Sequence, residues 1–245
     1  MAQPLQNITI SAPGFAGINT QEAPLTQDPS FAAVADNCII DKEGRIAARK
    51  GYTMVSGNGA AVLGSSDGIE SLGEFVQTDG VKVFFSAGNN KIFSGDTTLT
   101  DISSSLTITA NNWDMASLAN KFYFFQRDHG PLVYDPSTSA LTTIAAHSAV
   151  TGTPPDANIC LAAFGRLWAA DVTGNKQTIY WTDSLNGLIW SGGSSGSIDL
   201  TTVWPNGFDE ITALHSHNNF LIIFGRRSIL VYSGATDPST MALSD

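Results

Sequence analysis

The sequence predicts an all-β fold: a β-propeller or partial propeller of repeated antiparallel hairpin blades, with an extended N-terminal arm. Three observations predict it. Four segments share one pattern, in which a small or apolar run, a Gly or Asn turn and an aromatic-rich strand lead through a second turn to another apolar strand. Their turn residues Gly80, Asn120, Gly165 and Asn219 stand 40, 45 and 54 positions apart, a several-strand period that propellers use. The run Phe220-Leu-Ile-Ile-Phe224 is apolar on both alternations. This predicts a strand buried on both faces, as the middle strands of stacked sheets are.

Taken in order, residues 1–60 read as an arm with a short helix and a hairpin, and residues 61–245 as the propeller-like repeats. The arm, to about Pro24, carries Pro4, Pro13, Gly14 and Gly17 with little periodicity. Asp28-Pro29 predicts the cap and first position of a short helix over 30–36, with Phe31-Ala-Ala-Val34 as its apolar face. Cys38-Ile-Ile40 and Arg45-Ile-Ala-Ala-Arg49 predict a hairpin about the turn Asp41-Lys-Glu-Gly44. The repeats run Leu72–Phe85 with Lys91–Phe93, Ala116–Phe125 with Leu132–Tyr134, Cys160–Ala169 with Thr178–Trp181, and Thr212–Phe224 with Ile229–Tyr232. The Ser/Thr/Gly/Pro-rich segments 94–105, 135–158 and 191–199 read as blade connections or outer strands, and 234–245 as a polar tail.

Only 14% of the residues are charged, against about 25% in ordinary globular domains. A surface of neutral polar residues suits an assembly, because charge is costly to desolvate at interfaces; Ser/Thr-rich β composition accounts for it equally well. The net charge of −10 argues against dedicated nucleic-acid binding, which needs basic surface, yet it suits the wall of a channel through which DNA slides without sticking. Cys38 and Cys160 are expected as free thiols. The N-terminus lacks the basic start and apolar stretch of a secretory signal. The longest aliphatic/aromatic run, Phe220–Phe224, falls far short of the ~20 residues that span a bilayer; a soluble, cytosolically made chain without membrane insertion is expected.

Candidate chemistry is sparse. His215 and His217 share one side of a strand beside the turn at Asn218-Asn219, with no third metal ligand evident, and read as a polar turn face. Ser191-Gly-Gly-Ser-Ser-Gly196 is a loop, not a phosphate cradle opening a helix. Thr182–Trp190 resembles a sialidase Asp box faintly, with Leu185 in the Asp position. A glycosidase would need paired carboxylates, for which Asp171, Asp183, Asp209 and Glu210 are the candidates. No catalytic residue, cofactor or metal ligand is assigned. Lys42, Arg45, Arg49 and Lys50 gather four of the chain's twelve basic residues on the predicted hairpin; they read either as a solvated strand edge or as contacts to an acidic neighbouring subunit. Arg226-Arg227 reads as a solvated turn ahead of the alternative, pairing with Asp209 or Glu210.

Three stretches together resemble a known family: Ala12–Pro24, Ala35–Tyr52, and Val203–Ile211 through Phe224–Ser233. They are similar to the N-terminal half of the tail tubular protein B, or tail nozzle, family of T7-like short-tailed phages. The resemblance implies a virion tail protein forming a hexameric ring below the adaptor ring, near tail-fibre attachment, and lining the DNA ejection channel. That family's chains are much longer than this one. The competing readings are a solitary propeller module that binds a host glycan or peptide through Trp181, Trp190 and Trp204, and a hydrolase built on Asp183 and Asp209.

Overall fold

The computed structural model describes residues 14, 16–23, 25–40, 46–51, 68–205 and 207–244. The chain divides into two compact units, Met1–Met54 and Val55–Asp245.

In the first unit, β1 (Gly17–Ile18) runs parallel to β2 (Phe31–Ala32), and β3 (Cys38–Ile40) pairs antiparallel with β4 (Ile46–Ala48). The hairpin is therefore present, while its predicted turn and residues 1–13 of the arm lie outside the described residues. The helix expected over 30–36 is replaced by β2. Asp28 Oδ1 accepts from the N–H of Ser30 at 2.8 Å and from its hydroxyl at 2.6 Å. That bond closes a local turn instead of capping a helix. The N–H of Ala16 then donates to Ser30 O at 2.8 Å, and that of Asn19 to Ala32 O at 3.1 Å, so the segment satisfies its backbone by pairing. A two-turn helix with one short apolar patch has little to oppose this.

The second unit is four consecutive antiparallel meanders of four strands each. The first sheet holds β5 (Ser71–Val76), β6 (Lys82–Gly88), β7 (Lys91–Ser94) and β8 (Thr100–Asp101). The second holds β9 (Asp114–Leu118), β10 (Lys121–Gln126), β11 (His129–Asp135) and β12 (Ala140–Thr143). The third holds β13 (Ala157–Ala163), β14 (Arg166–Val172), β15 (Thr178–Trp181) and β16 (Gly196–Asp199). The fourth holds β17 (Ile211–His217), β18 (Phe220–Gly225), β19 (Ile229–Ser233) and β20 (Ala242–Ser244). The all-β class predicted from the repeats is thus observed. Each predicted turn residue sits at a first hairpin, and each outer strand falls in a segment of low hydrophobicity. Residues 234–245, expected as a tail, supply β20.

The turn chemistry explains the register. Ala119-Asn120, Phe164-Gly165 and Asn218-Asn219 each place two residues at positive φ, between 46° and 69°. Such a two-residue turn has the twist that adjoining strands require.

Consecutive sheets stack by their faces. We call a sheet's forward face the one turned toward the next sheet in sequence, and its rear face the opposite one. The forward face of the first sheet (Phe75, Phe85, Ala87, Ile92) meets the rear face of the second (Phe122, Phe124, Leu132, Tyr134, Leu141). There the Phe85 ring stacks on Phe122 at 5.0 Å and meets Phe124 and Tyr134 edge-on at 5.3 and 4.9 Å. Tyr123, Phe125 and Val133 then pack on Leu167 and Ala169. Trp168, Ile179 and Trp181 pack on Leu214, Leu221, Ile223 and Leu230. Polar bonds staple the same junctions. The Asp114 carboxylate accepts from Cys160 N–H at 2.7 Å, Arg127 pairs with Asp171, and Ile211 N–H donates to Lys176 O at 2.9 Å.

Candidate functional site

Among the sequence-predicted residues, Arg49 and Lys50 lie exposed just after β4, where Arg49 N–H donates to Asn37 O at 2.8 Å. Lys42 and Arg45 lie outside the described residues. Cys38 and Cys160 are free thiols; burial and the neighbouring Asp114 carboxylate push the Cys160 thiol well up, which suits packing and not reactivity. His215 and His217 point the same way from β17 and are exposed.

The four candidate carboxylates are each taken up by structure. Asp171 is held by Arg127 and accepts from Asn158 Nδ2 at 3.2 Å. Asp183 accepts from the Ser194 hydroxyl at 2.6 Å and its N–H at 3.0 Å, which hold its carboxyl down at about 2. Asp209, almost wholly buried, accepts the N–H groups of Glu210, Arg226 and Arg227. Burial pushes its pKa up, but those donors win and hold it below the ordinary range. Glu210 pairs with Arg226 at 2.9 Å and Lys176 at 3.4 Å. The Arg226-Arg227 turn is therefore pinned by Asp209 and Glu210, not simply solvated. The N–H groups of this turn point at Asp209, so the pairing with Asp209 or Glu210, the lesser of the two sequence readings, is the one observed.

The aromatic side chains assigned to glycan contact are also internal. Trp181, Trp190 and Trp204 are at most 9% exposed, so the expectation that they are surface groups is corrected. Trp181 donates from Nε1 to Ser194 O at 2.8 Å and packs against Trp168 at 5.5 Å. Sequence reading also passed over Arg166. This buried arginine donates to Thr182 O at 2.9 Å, Ser194 Oγ at 2.8 Å and Thr236 O at 3.4 Å. It thereby ties the third sheet to the loop before β16 and to the segment before β20.

A hollow of about 300 Å³ opens between the second and third sheets, lined by Lys121, Tyr123, His147, Leu185 and Asn186 among others. Its polar groups are engaged. Lys121 pairs with Asp135, whose carboxylate also lies 3.6 Å from His147 Nε2. His147 Nδ1 accepts from Ala149 N–H at 3.2 Å. Burial and the Asp135 charge push the Tyr123 phenol up. The cluster is built to hold loops, with no free base or nucleophile at its centre.

The most distinctive surfaces are the outer faces of the end sheets. In β10 every residue from Phe122 to Gln126 is buried, and in β14 every residue from Arg166 to Asp171, because both faces are covered. The prediction of two-sided burial fails at β18, where it was made. Leu221 and Ile223 are buried, while Phe220, Ile222 and Phe224 on the forward face keep contact with solvent. With Ile229 (59% exposed) and Val231 they form an apolar row with no covering sheet among the described residues. On the rear face of the first sheet, Leu72 (77% exposed), Val76 and Phe84 are open around a Glu74–Lys82 ion pair of 2.6 Å, while Phe93 and Ser86 on the same face are buried.

No family model matches the chain and no curated protein matches it. Among solved structures it is similar to the extracellular domain of a hybrid two-component system from B. thetaiotaomicron, with TM-score 0.45, 11% identity, and 70% of this chain against 25% of that one. It is also similar to an extracellular domain of a one-component system from the same organism, with TM-score 0.42, 16% identity, and 69% of this chain against 21% of that one. The chain thus spans about a quarter to a fifth of the length of those structures.

Proposed function

We propose that this chain is a non-catalytic structural protein of a short phage tail. Its stacked sheets serve as propeller blades, and copies of it assemble into the ring that lines the DNA ejection channel. The resemblance over 12–24, 35–52 and 203–233 supplies the place in the tail. One structural observation supports an assembling subunit: the fourth sheet carries an exposed apolar face of the kind that the internal junctions bury. Soluble monomers rarely leave such a row open without a partner. Scarce charge and an acidic balance fit a channel wall that neither binds DNA nor resists packing against neighbours. The basic residues Arg49 and Lys50, with Lys42 and Arg45, would dock an acidic adaptor or fibre subunit.

Native mass spectrometry and electron microscopy of the purified chain test this reading. Closed oligomers, and labelling of tails in virions by an antibody to the chain, are the expected results. A stable monomer without affinity for tail components would refute it. The glycan-binding alternative has lost the three tryptophans that were to carry it, since all are internal.

A further inference from the structure

The chain has four histidines, and the structure employs only two of them. His129 has both ring nitrogens in use, Nδ1 with Gly130 O at 2.7 Å and Nε2 with Thr107 O at 2.9 Å, and its ring meets Trp113 edge-on. His147 accepts from Ala149 N–H through Nδ1, and its Nε2 lies beside the Asp135 carboxylate. His215 and His217 differ. Both are exposed, and among the described residues their rings have no hydrogen-bond, ion-pair or aromatic partner. A neutral imidazole without such partners keeps a nitrogen lone pair open for coordination.

The hairpin of β17 and β18 holds these two rings in register. From Ala213↔Phe224 to His217↔Phe220 the pairing runs without a bulge, and the two-residue turn Asn218-Asn219 closes it. Residues two apart on such a strand share a face and stand about 7 Å apart. From that spacing both imidazoles can turn toward one ion, each placing a nitrogen about 2 Å from it. Their cross-strand neighbours on the same face are Ile222 and Phe220, which offer no competing donor.

We propose that His215 and His217 chelate one late first-row transition-metal ion of the Ni²⁺, Cu²⁺ or Zn²⁺ class. The described residues gather no third His, Cys, Asp or Glu around the pair, so water fills the ion's other positions. A set of neutral nitrogens suits neither Mg²⁺ nor Ca²⁺, which take oxygen ligands. It suits the late ions, whose affinity for such donors rises along the series to copper. The inference is independent of the tail-assembly reading, because it needs one hairpin of one chain.

Isothermal titration calorimetry of the full chain with Ni²⁺ tests it, with Mg²⁺ as the oxygen-seeking comparison. One Ni²⁺ per chain is expected, and no binding heat from Mg²⁺. His215→Asn and His217→Asn should each weaken binding roughly tenfold or more, because a second ligand on the same strand acts at high effective concentration. The double variant should abolish it. Both positions are exposed, so the variants should keep the far-UV circular dichroism of the parent. Should one misfold, NMR of the parent decides: the paramagnetic ion should broaden the ring signals of His215 and His217 together and spare those of His129 and His147. Broadening of one ring alone, or single variants with unchanged affinity, would overturn the chelate. No heat with millimolar Ni²⁺, or binding that survives in the double variant, would overturn the site.

Discussion

Phe84 and Phe85 are neighbours on β6 that face opposite ways, and they separate a covered sheet face from an open one. Phe85 is fully buried, with three aromatic partners within 5.3 Å, while Phe84 is 40% exposed. Truncating a buried phenylalanine to alanine costs about 3–5 kcal/mol in lost transfer free energy and residual cavity. Phe85→Ala belongs near the upper end, because the lost ring also removes the stacking contact with Phe122 and the edge-on contacts with Phe124 and Tyr134. Phe84→Ala should cost about 1 kcal/mol or less. With a urea dependence of about 2 kcal/mol/M, the midpoint should fall by about 2–2.5 M for Phe85→Ala and by about 0.5 M or less for Phe84→Ala. The first sheet stacks on the second by its forward face, while its rear face is covered only in part, at Phe93 and Ser86, and stacked units gain stability from nearest neighbours. Hydrogen exchange should therefore show β5 to β8 losing protection ahead of the other sheets in Phe85→Ala. Equal losses for the two variants, or an unshifted midpoint for Phe85→Ala, would refute the one-sided stacking argument.

Further predictions follow from the same junctions. Gly187→Ala places a Cβ 2.5 Å from Tyr123 Cζ and 2.7 Å from Leu167 Cδ1; overpacking of this kind costs about 1–3 kcal/mol, read as a Tm lowered by roughly 5 °C in calorimetry. Asn219, at φ 64°, should tolerate glycine but lose about 1 kcal/mol on change to alanine, with the rest of the hairpin intact by circular dichroism. Burial opposes ionisation of Asp135, but Lys121 and the Ser137 hydroxyl and N–H outweigh it and hold the carboxyl well below its ordinary range. The stability it supplies is thus complete above the ordinary carboxylate pKa of about 3.9 and is lost as pH falls through the lower folded value. Asp135→Asn should cost about 1–3 kcal/mol at neutral pH and flatten the acid limb of a stability-versus-pH curve.

The repeated hairpins were legible because their turns are local chemistry. Asn120, Gly165 and Asn219 announce positive φ, and the flanking aromatic residues announce strands. The outer strands β8, β12, β16 and β20 were harder to see, being short and poor in apolar residues; they form because an already formed third strand offers its edge. The helix expected at 30–36 failed because one side-chain bond from Asp28 decided between a cap and a turn, a choice the residue types share. Burial of Phe220–Phe224 was misjudged for a different reason. Apolar alternation says that a strand is made to be covered on both sides, and says nothing about whether the cover belongs to the same chain. The acids singled out as catalytic candidates became turn locks and ion-pair partners, because their partners, such as Arg127 for Asp171, are distant in sequence.

Each meander is drawn from one unbroken stretch of chain, with pairing only between strands adjacent in sequence. The loops to be closed within a sheet are short, which favours rapid local formation. During synthesis the first sheet can therefore complete itself before the second has left the ribosome, and each later sheet condenses on a finished template. The outward row of Ile and Phe on the fourth sheet has no covering sheet among the described residues. Such a row is prone to mispairing while the chain folds, and the order of synthesis keeps the earlier sheets from that hazard by covering each with the next.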